Sequence, residues 1–144
     1  MIEGTILLVD DSPDDVALTL RAFRTNNITN KVDVAPDGEE ALNYMLRDAE
    51  SRPKPVLILL DINLPKVSGL EVLRRIRADE RTRYLPVVVL STSSEDRDIV
   101  ESYDLGANSY VRKPVVFNEF VDAVKVLGLY WLLVNQSVLA PKGE

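Results

Sequence analysis

The run Val56-Leu57-Ile58-Leu59-Leu60, closed by Asp61 and followed by Ile62-Asn63-Leu64-Pro65, decides how the rest of the chain is read. Its near-continuous apolar character is that of a strand covered on both faces. A carboxylate directly after such a run stands where a buried strand emerges into solvent, the end at which open α/β sheets bind ligands. Three further runs also end in polar groups. Thr5-Ile6-Leu7-Leu8-Val9 ends in Asp10-Asp11, Pro86-Val87-Val88-Val89-Leu90 in Ser91, and Tyr110-Val111-Arg112 in Lys113. Three carboxylates, a hydroxyl and an ammonium at strand ends describe a metal-assisted phosphate site.

Between the apolar runs lie segments of helical period. Ser12-Pro13-Asp14-Asp15 reads as a helix start: Ser12 can cap, Pro13 suits the first helical position, and the two acids serve the positive end of the dipole. A second strand is expected over Lys31 to Ala35, and Asp37-Gly38-Glu39-Glu40 opens a second helix through Leu42, Met45 and Leu46. Asp48 to Pro55, charged and holding two prolines, reads as a surface loop. A third helix runs through Leu70, Val72, Leu73 and Ile76, a fourth from about Ser94 to Leu105, and a fifth begins near Phe117. Five strand–helix units without an internal repeat or linker predict one α/β domain, with right-handed crossovers between parallel neighbours.

The 144-residue chain is long enough for one full core, and its 46% hydrophobic content requires no disulfides. It has no cysteine, which excludes disulfides, iron–sulfur clusters and thiolate zinc sites. It has no histidine either. The commonest general base and metal ligand are therefore missing, and a phosphoryl group would have to rest on a carboxylate or a hydroxyl. A net charge of −6 argues against nucleic acid as a partner. The arginines at 74, 75, 77, 81 and 83 alternate with Asp79 and Glu80 and read as a solvated helix end. Met1-Ile2-Glu3-Gly4 lacks the features of a signal peptide, and no run approaches the ~20 apolar residues of a membrane span, so a cytoplasmic protein is expected.

The chemistry follows from charge. If the first and third strands are neighbours, Asp10, Asp11 and Asp61 converge, and close carboxylates cannot all ionise cheaply. A hard divalent cation resolves the conflict: Mg²⁺ first, with Mn²⁺ as a substitute. Direct ligation is assigned to Asp11 and Asp61, water-mediated support to Asp10, and a third protein ligand to the backbone carbonyl of Asn63. A carboxylate can also attack phosphorus and hold the group as an aspartyl phosphate. Positioning and charge neutralisation then do most of the work, with Lys113 and the Ser91 hydroxyl on the remaining phosphoryl oxygens.

The strings LLVDDSPDD, LLDINLPKVSG, VVVLSTSS and SYVRKP, in this order and spacing, resemble the receiver domain of two-component response regulators over roughly residues 4 to 130. The resemblance implies a flavodoxin-like (βα)5 fold: a three-layer sandwich around a five-stranded parallel sheet of order 2-1-3-4-5. It makes Asp61 the phosphoacceptor, Asp10 and Asp11 the acidic pair, Ser91 the switch hydroxyl, Lys113 the paired lysine and Tyr110 the switch aromatic. Pro65 and Gly69 match the loop after the acceptor, Asn63 and Ser93 the positions that tune phosphoryl loss, and Pro114 would follow a cis peptide bond. A sensor histidine kinase would be the donor. The long loop from Arg47 to Pro55, with SYDLGANSYVRKPV and LGLYWLL, resembles the stand-alone regulators paired with bacterial phytochromes.

The receiver domain is expected over residues 1–134, with 135–144 as a tail and no separate output domain. The fifth helix has one stripe for the sheet (Phe117, Phe120, Val124, Leu127, Trp131) and leaves Val126, Tyr130, Leu133 and Val134 on other faces. Either the C-terminal tail folds back over these residues, or the patch marks a dimer or partner interface, and the second reading is preferred. A homodimer through the helix 4–strand 5–helix 5 face and the C-terminal segment is expected, with output by protein contact, relay to another phosphocarrier or control of the kinase.

Three rivals are weaker. A haloacid dehalogenase-class phosphatase would need a second acid two residues after its first-strand nucleophile, where this chain has Ser12. A flavodoxin-like nucleotide binder would need a neutral loop where Asp10 to Asp15 would repel phosphate. A phosphorylation-dead scaffold would lack one of the required groups, and none is missing. The chain is thus read as a phosphoacceptor and not as a turnover enzyme.

Overall fold

A computed structural model describes residues 4–47, 54–92, 96–113, 118, 119 and 122. Five parallel strands form one sheet in the order β2-β1-β3-β4-β5: β1 Thr5–Val9, β2 Val32–Ala35, β3 Pro55–Asp61, β4 Val87–Ser91 and β5 Ser109–Arg112. The expected strand order is therefore the observed one. β3 sits at the centre, pairing with β1 through Ile58 opposite Leu7 and with β4 through Ile58 opposite Val87. From Leu57 to Asp61 every residue of β3 is buried, as its continuous apolar run requires.

Strand alternation divides the core in two. Leu7, Val9, Ile58, Leu60, Val87 and Val89 face α2 (Gly38–Leu42) and α3 (Gly69–Ala78), meeting Ala41, Leu42, Val72, Leu73 and Ile76. Ile6, Leu8, Leu57, Leu59, Val88 and Leu90 face the other way, toward Phe23 of α1 (Pro13–Thr25) and Ile28. Each fully buried Leu or Ile in these layers contributes about 1.5–3 kcal/mol. Both layers hold the strands rigidly, so the groups at their C-terminal ends have fixed origins.

The helix starts follow their caps. Ser12 Oγ accepts the Asp15 N–H, Asp37 Oδ1 the Glu40 N–H, and Ser68 Oγ the Glu71 N–H. The second helix departs from its expected regular course: after Leu42 it widens into a π-helical stretch, Asn43–Arg47. That widening accompanies burial of both Tyr44 and Met45, and the Tyr44 hydroxyl donates to Asp33 Oδ2 at 2.6 Å, tying the helix to the edge strand β2. β2 starts at Val32, one residue later than expected. α4 spans Asp96–Asp104 and ends at Gly106, whose φ of 104° is accessible chiefly to glycine. The expectations for Ser93, Pro114, the apolar stripe of the fifth helix, the dimer-forming C-terminal segment and the 135–144 tail lie outside the described residues. Among the described residues no helix is long and apolar enough to cross a membrane.

Candidate functional site

β1, β3, β4 and β5 lie side by side, and the polar residues that close them meet at one edge of the sheet. Asp10 and Asp61 are buried, at 2% and 4% exposure, and Asp11 is exposed. One carboxylate oxygen from each of Asp10, Asp11 and Asp61 can be chosen so that all lie within 4.8 Å of one another. Two of these acids are held by the turns that follow them. Asp10 Oδ1 accepts the Ser12 N–H at 3.0 Å, and Asp61 Oδ1 accepts the Asn63 N–H at 3.1 Å.

Lys113 reaches into this cluster. Its ammonium lies 3.0 Å from Asp10 Oδ2, 2.9 Å from Asp15 Oδ2 and 3.0 Å from Asp61 Oδ2. Its backbone N–H donates to the Ser91 carbonyl at 2.9 Å, which fixes the end of β5 against the end of β4. Ser91 is fully buried there. Tyr110 pairs in register with Val89 and packs, partly buried, on the α2–α3 side of the core.

The electrostatics pull in two directions. Burial pushes the Asp61 carboxyl above its ordinary value. The Asn63 N–H and Lys113 oppose that rise, and the nearby Asp10 charge adds to it. For Lys113 burial disfavours the charge, yet the hydrogen bonds to Asp15, Asp10 and Asp61 outweigh it and raise the pKa. Lys113 is therefore a fixed cation at any physiological pH. One ammonium stands among four carboxyl groups, those of Asp10, Asp11, Asp15 and Asp61. An all-oxygen set of this kind suits a hard divalent cation held partly by water.

Gly69 makes the loop after β3 possible. A Cβ there would collide with the Asp61 carbonyl oxygen and fall 2.5 Å from Ile62 Cα. The Gly69 N–H donates to the Ile62 carbonyl at 3.0 Å, so α3 begins directly against the Asp61 strand end. Lys66, at a φ of 68°, turns its ammonium to Asp37 and Glu39 at the start of α2.

The sequence placed Asp10, Asp11, Asp61, Ser91 and Lys113 at these strand ends, and the structure brings all five to one edge. Asp15, whose place in the first turn of α1 suggests only a helix-dipole role, is instead a partner of Lys113. A signal for it existed. Asp15, Thr19 and Phe23 recur every four residues, and the latter two are buried, so Asp15 lies on the inward stripe of α1 while the exposed Asp14 does not.

The response regulator receiver domain matches residues 6–125. The chain belongs to this family. Among its relatives, this receiver is 41% identical over 133 residues to the probable methanogenesis regulatory protein FilR2 of Methanothrix harundinacea, covering 92% of this chain and 86% of FilR2. The bacteriophytochrome response regulator AtBRR superimposes with a TM-score of 0.81 at 46% identity, over 92% of this chain and 98% of its own. A Mn²⁺-bound form of response regulator Rcp1, a protein of Synechocystis, superimposes at 0.73 with 35% identity, over 89% and 92% of the two chains. The phosphorylated cyanobacterial phytochrome response regulator RcpA superimposes at 0.75 with 39% identity, over 90% and 94%. The receiver therefore sits among phytochrome-associated regulators in structure. Its acidic cluster fits a metal site, and the similar Rcp1 structure is a Mn²⁺-bound form.

Proposed function

We propose that this receiver accepts a phosphoryl group on Asp61 from a phosphohistidine of a sensor histidine kinase, and signals through the change that follows. One observation carries the reading. Asp61 is a buried carboxylate at the end of the central strand, with one oxygen on the Asn63 N–H and the other on Lys113. In the transfer an Asp61 oxygen forms the new P–O bond while the P–N bond of the donor breaks and its imidazole leaves. Lys113 neutralises charge on the transferring group, and Ser91, at the neighbouring strand end, offers its hydroxyl to another phosphoryl oxygen. Asp10, Asp11, Asp61 and the Asn63 carbonyl would hold Mg²⁺, or Mn²⁺ in its place. The cation supplies neutralisation of the crowded carboxylates and of the phosphoryl oxygens. No turnover of an outside substrate is part of this role.

The added group brings roughly 1.5 to 2 negative charges at neutral pH. Ser91 and Lys113 draw toward it, Tyr110 follows, and the packing of β4, α4 and β5 shifts between existing states. Val100 and Tyr103 leave an apolar surface on α4, 56% and 47% exposed, which supports output through this face to a partner or a second copy. The similarity to AtBRR, Rcp1 and RcpA supports a phytochrome-type kinase as donor. Incubation with a small phosphodonor and Mg²⁺, read by intact mass, is expected to add one phosphoryl group. The addition should vanish in Asp61→Asn and without metal; persistence in Asp61→Asn refutes the assignment. Sedimentation before and after phosphorylation tests the output face.

A further inference from the structure

Lys113 stands in the way of the cation it is meant to work beside. Two of its three acidic partners, Asp10 and Asp61, belong to the cluster whose oxygens converge within 4.8 Å, and Lys113 occupies one oxygen of each. A divalent cation that takes either of those oxygens must compete with the ammonium. The side chain of Lys113 is only 7% exposed, so it cannot simply withdraw into water. A displaced, unpaired ammonium at that depth would be strongly disfavoured.

Asp15 solves this problem geometrically. Its Oδ2 lies 2.9 Å from Lys113 Nζ, yet Asp15 is not one of the three acids that converge for metal. It is also the most exposed of the three partners, its side chain 33% accessible against 0% for Asp10 and 6% for Asp61. It can therefore hold the ammonium from the solvent side without surrendering an oxygen the cation needs. Its backbone N–H donates to the Ser12 cap at the start of α1, which fixes where the Asp15 side chain leaves the helix.

Resting on the reading of this pocket as a cation-assisted phosphoryl site, we infer that Asp15 is a positioning residue: it retains Lys113 at the rim of the pocket while Asp10 and Asp61 turn to the divalent cation. Asp15 acts through Lys113 and touches neither the cation nor the phosphoryl group. Its loss makes the ammonium a stronger competitor for the metal oxygens.

The test is a titration of the full chain with Mn²⁺ alone, free ion followed by electron paramagnetic resonance, with no phosphodonor present. Asp15→Asn is expected to weaken Mn²⁺ binding about three- to tenfold. Asp14→Asn is the control. It removes the same charge from the same helical turn, but Asp14 is exposed and has no ion pair among the described residues. It is expected to change affinity less than about twofold. The deciding arm is Lys113→Met. In that background Asp15→Asn should fall to the level of the control, because the competitor is gone. If Lys113→Met fails to fold, Lys113→Gln keeps a donor for the buried carboxylates and takes its place. Equal effects of Asp15→Asn and Asp14→Asn overturn the inference. So does an Asp15→Asn loss that persists in full without Lys113, which would make Asp15 a plain electrostatic contributor. A wild-type chain that does not bind Mn²⁺ overturns the cation reading itself, a failure distinct from the other two.

Discussion

Two partly buried cations of this receiver are held in opposite ways. Lys113, at the C-terminal end of the sheet, is bound by carboxylates of Asp10, Asp15 and Asp61. Arg77, at the end of α3, is bound by neutral groups. It donates to the carbonyls of Gly106, Arg83 and Leu85 and to the Asn108 side-chain oxygen, at 2.7 to 3.0 Å. Burial lowers the Arg77 pKa with nothing to oppose it, whereas carboxylates raise that of Lys113 against its burial. Carbonyl oxygens keep their partners whatever enters the solvent. Carboxylates can exchange an ammonium for a metal ion. The Arg77 junction is thus a permanent brace beneath the loop that leads into β5, and the Lys113 junction is one that a ligand can rearrange.

The largest expected effect is on the brace. Arg77→Met takes the guanidinium from four acceptors, of which the Asn108 oxygen keeps the Val87 N–H, and should lower stability by about 2–4 kcal/mol, discounted for partial solvent access, in urea melts. Mn²⁺ affinity should stay within about twofold of wild type, since no pocket group is touched. Lys113→Met should do the reverse and tighten Mn²⁺ binding by about tenfold in the same titration, because the internal competitor is removed. A gain from both variants, or from neither, would erase the distinction between the two junctions.

A smaller effect concerns protons. The Asp61 carboxyl is raised above 3.8, chiefly by burial, and Lys113 restrains the rise. Lys113→Met should push it higher still, seen as a shifted carboxyl titration by carbon NMR in metal-free buffer. The folded chain holds this proton more tightly than the unfolded chain does. The contribution of Asp61 to stability is therefore most favourable below pH 3.8 and declines as pH rises through the folded value. The smallest effect is at the surface. Glu71, paired with Arg74 and Arg75, has its carboxyl held down to about 2 by their hydrogen bonds but stays in contact with solvent. Glu71→Gln should leave the midpoint of a urea melt at neutral pH almost unchanged. Any stabilisation it supplies is present above the usual glutamate range and fades as pH falls toward about 2.

Most of the site was readable because strand ends are local events. An apolar run of fixed length ends at a definite residue, and that residue emerges at the sheet edge whatever the helices do. Asp61, Asp10, Ser91 and Lys113 were legible in this way. Asp15 and Arg77 were not, although both carried a trace. Arg77 follows buried Leu73 by four residues, on the inward side of α3, yet in sequence it runs on from its solvated neighbours Arg74 and Arg75. Average charge along a segment hides the phase of one residue on a helix.

Alternation, caps and the polar closers of the apolar runs were enough to give the receiver its strands, its helix starts and the residues at its acidic edge, because each depends on neighbours close in the chain. The partners of each charge were a matter of folding. Lys113 and Asp15 are 98 positions apart in sequence and 2.9 Å apart in space. Whether an ammonium meets three carboxylates, or a guanidinium a set of carbonyls, depends on how strands and helices cross once the two core layers have closed.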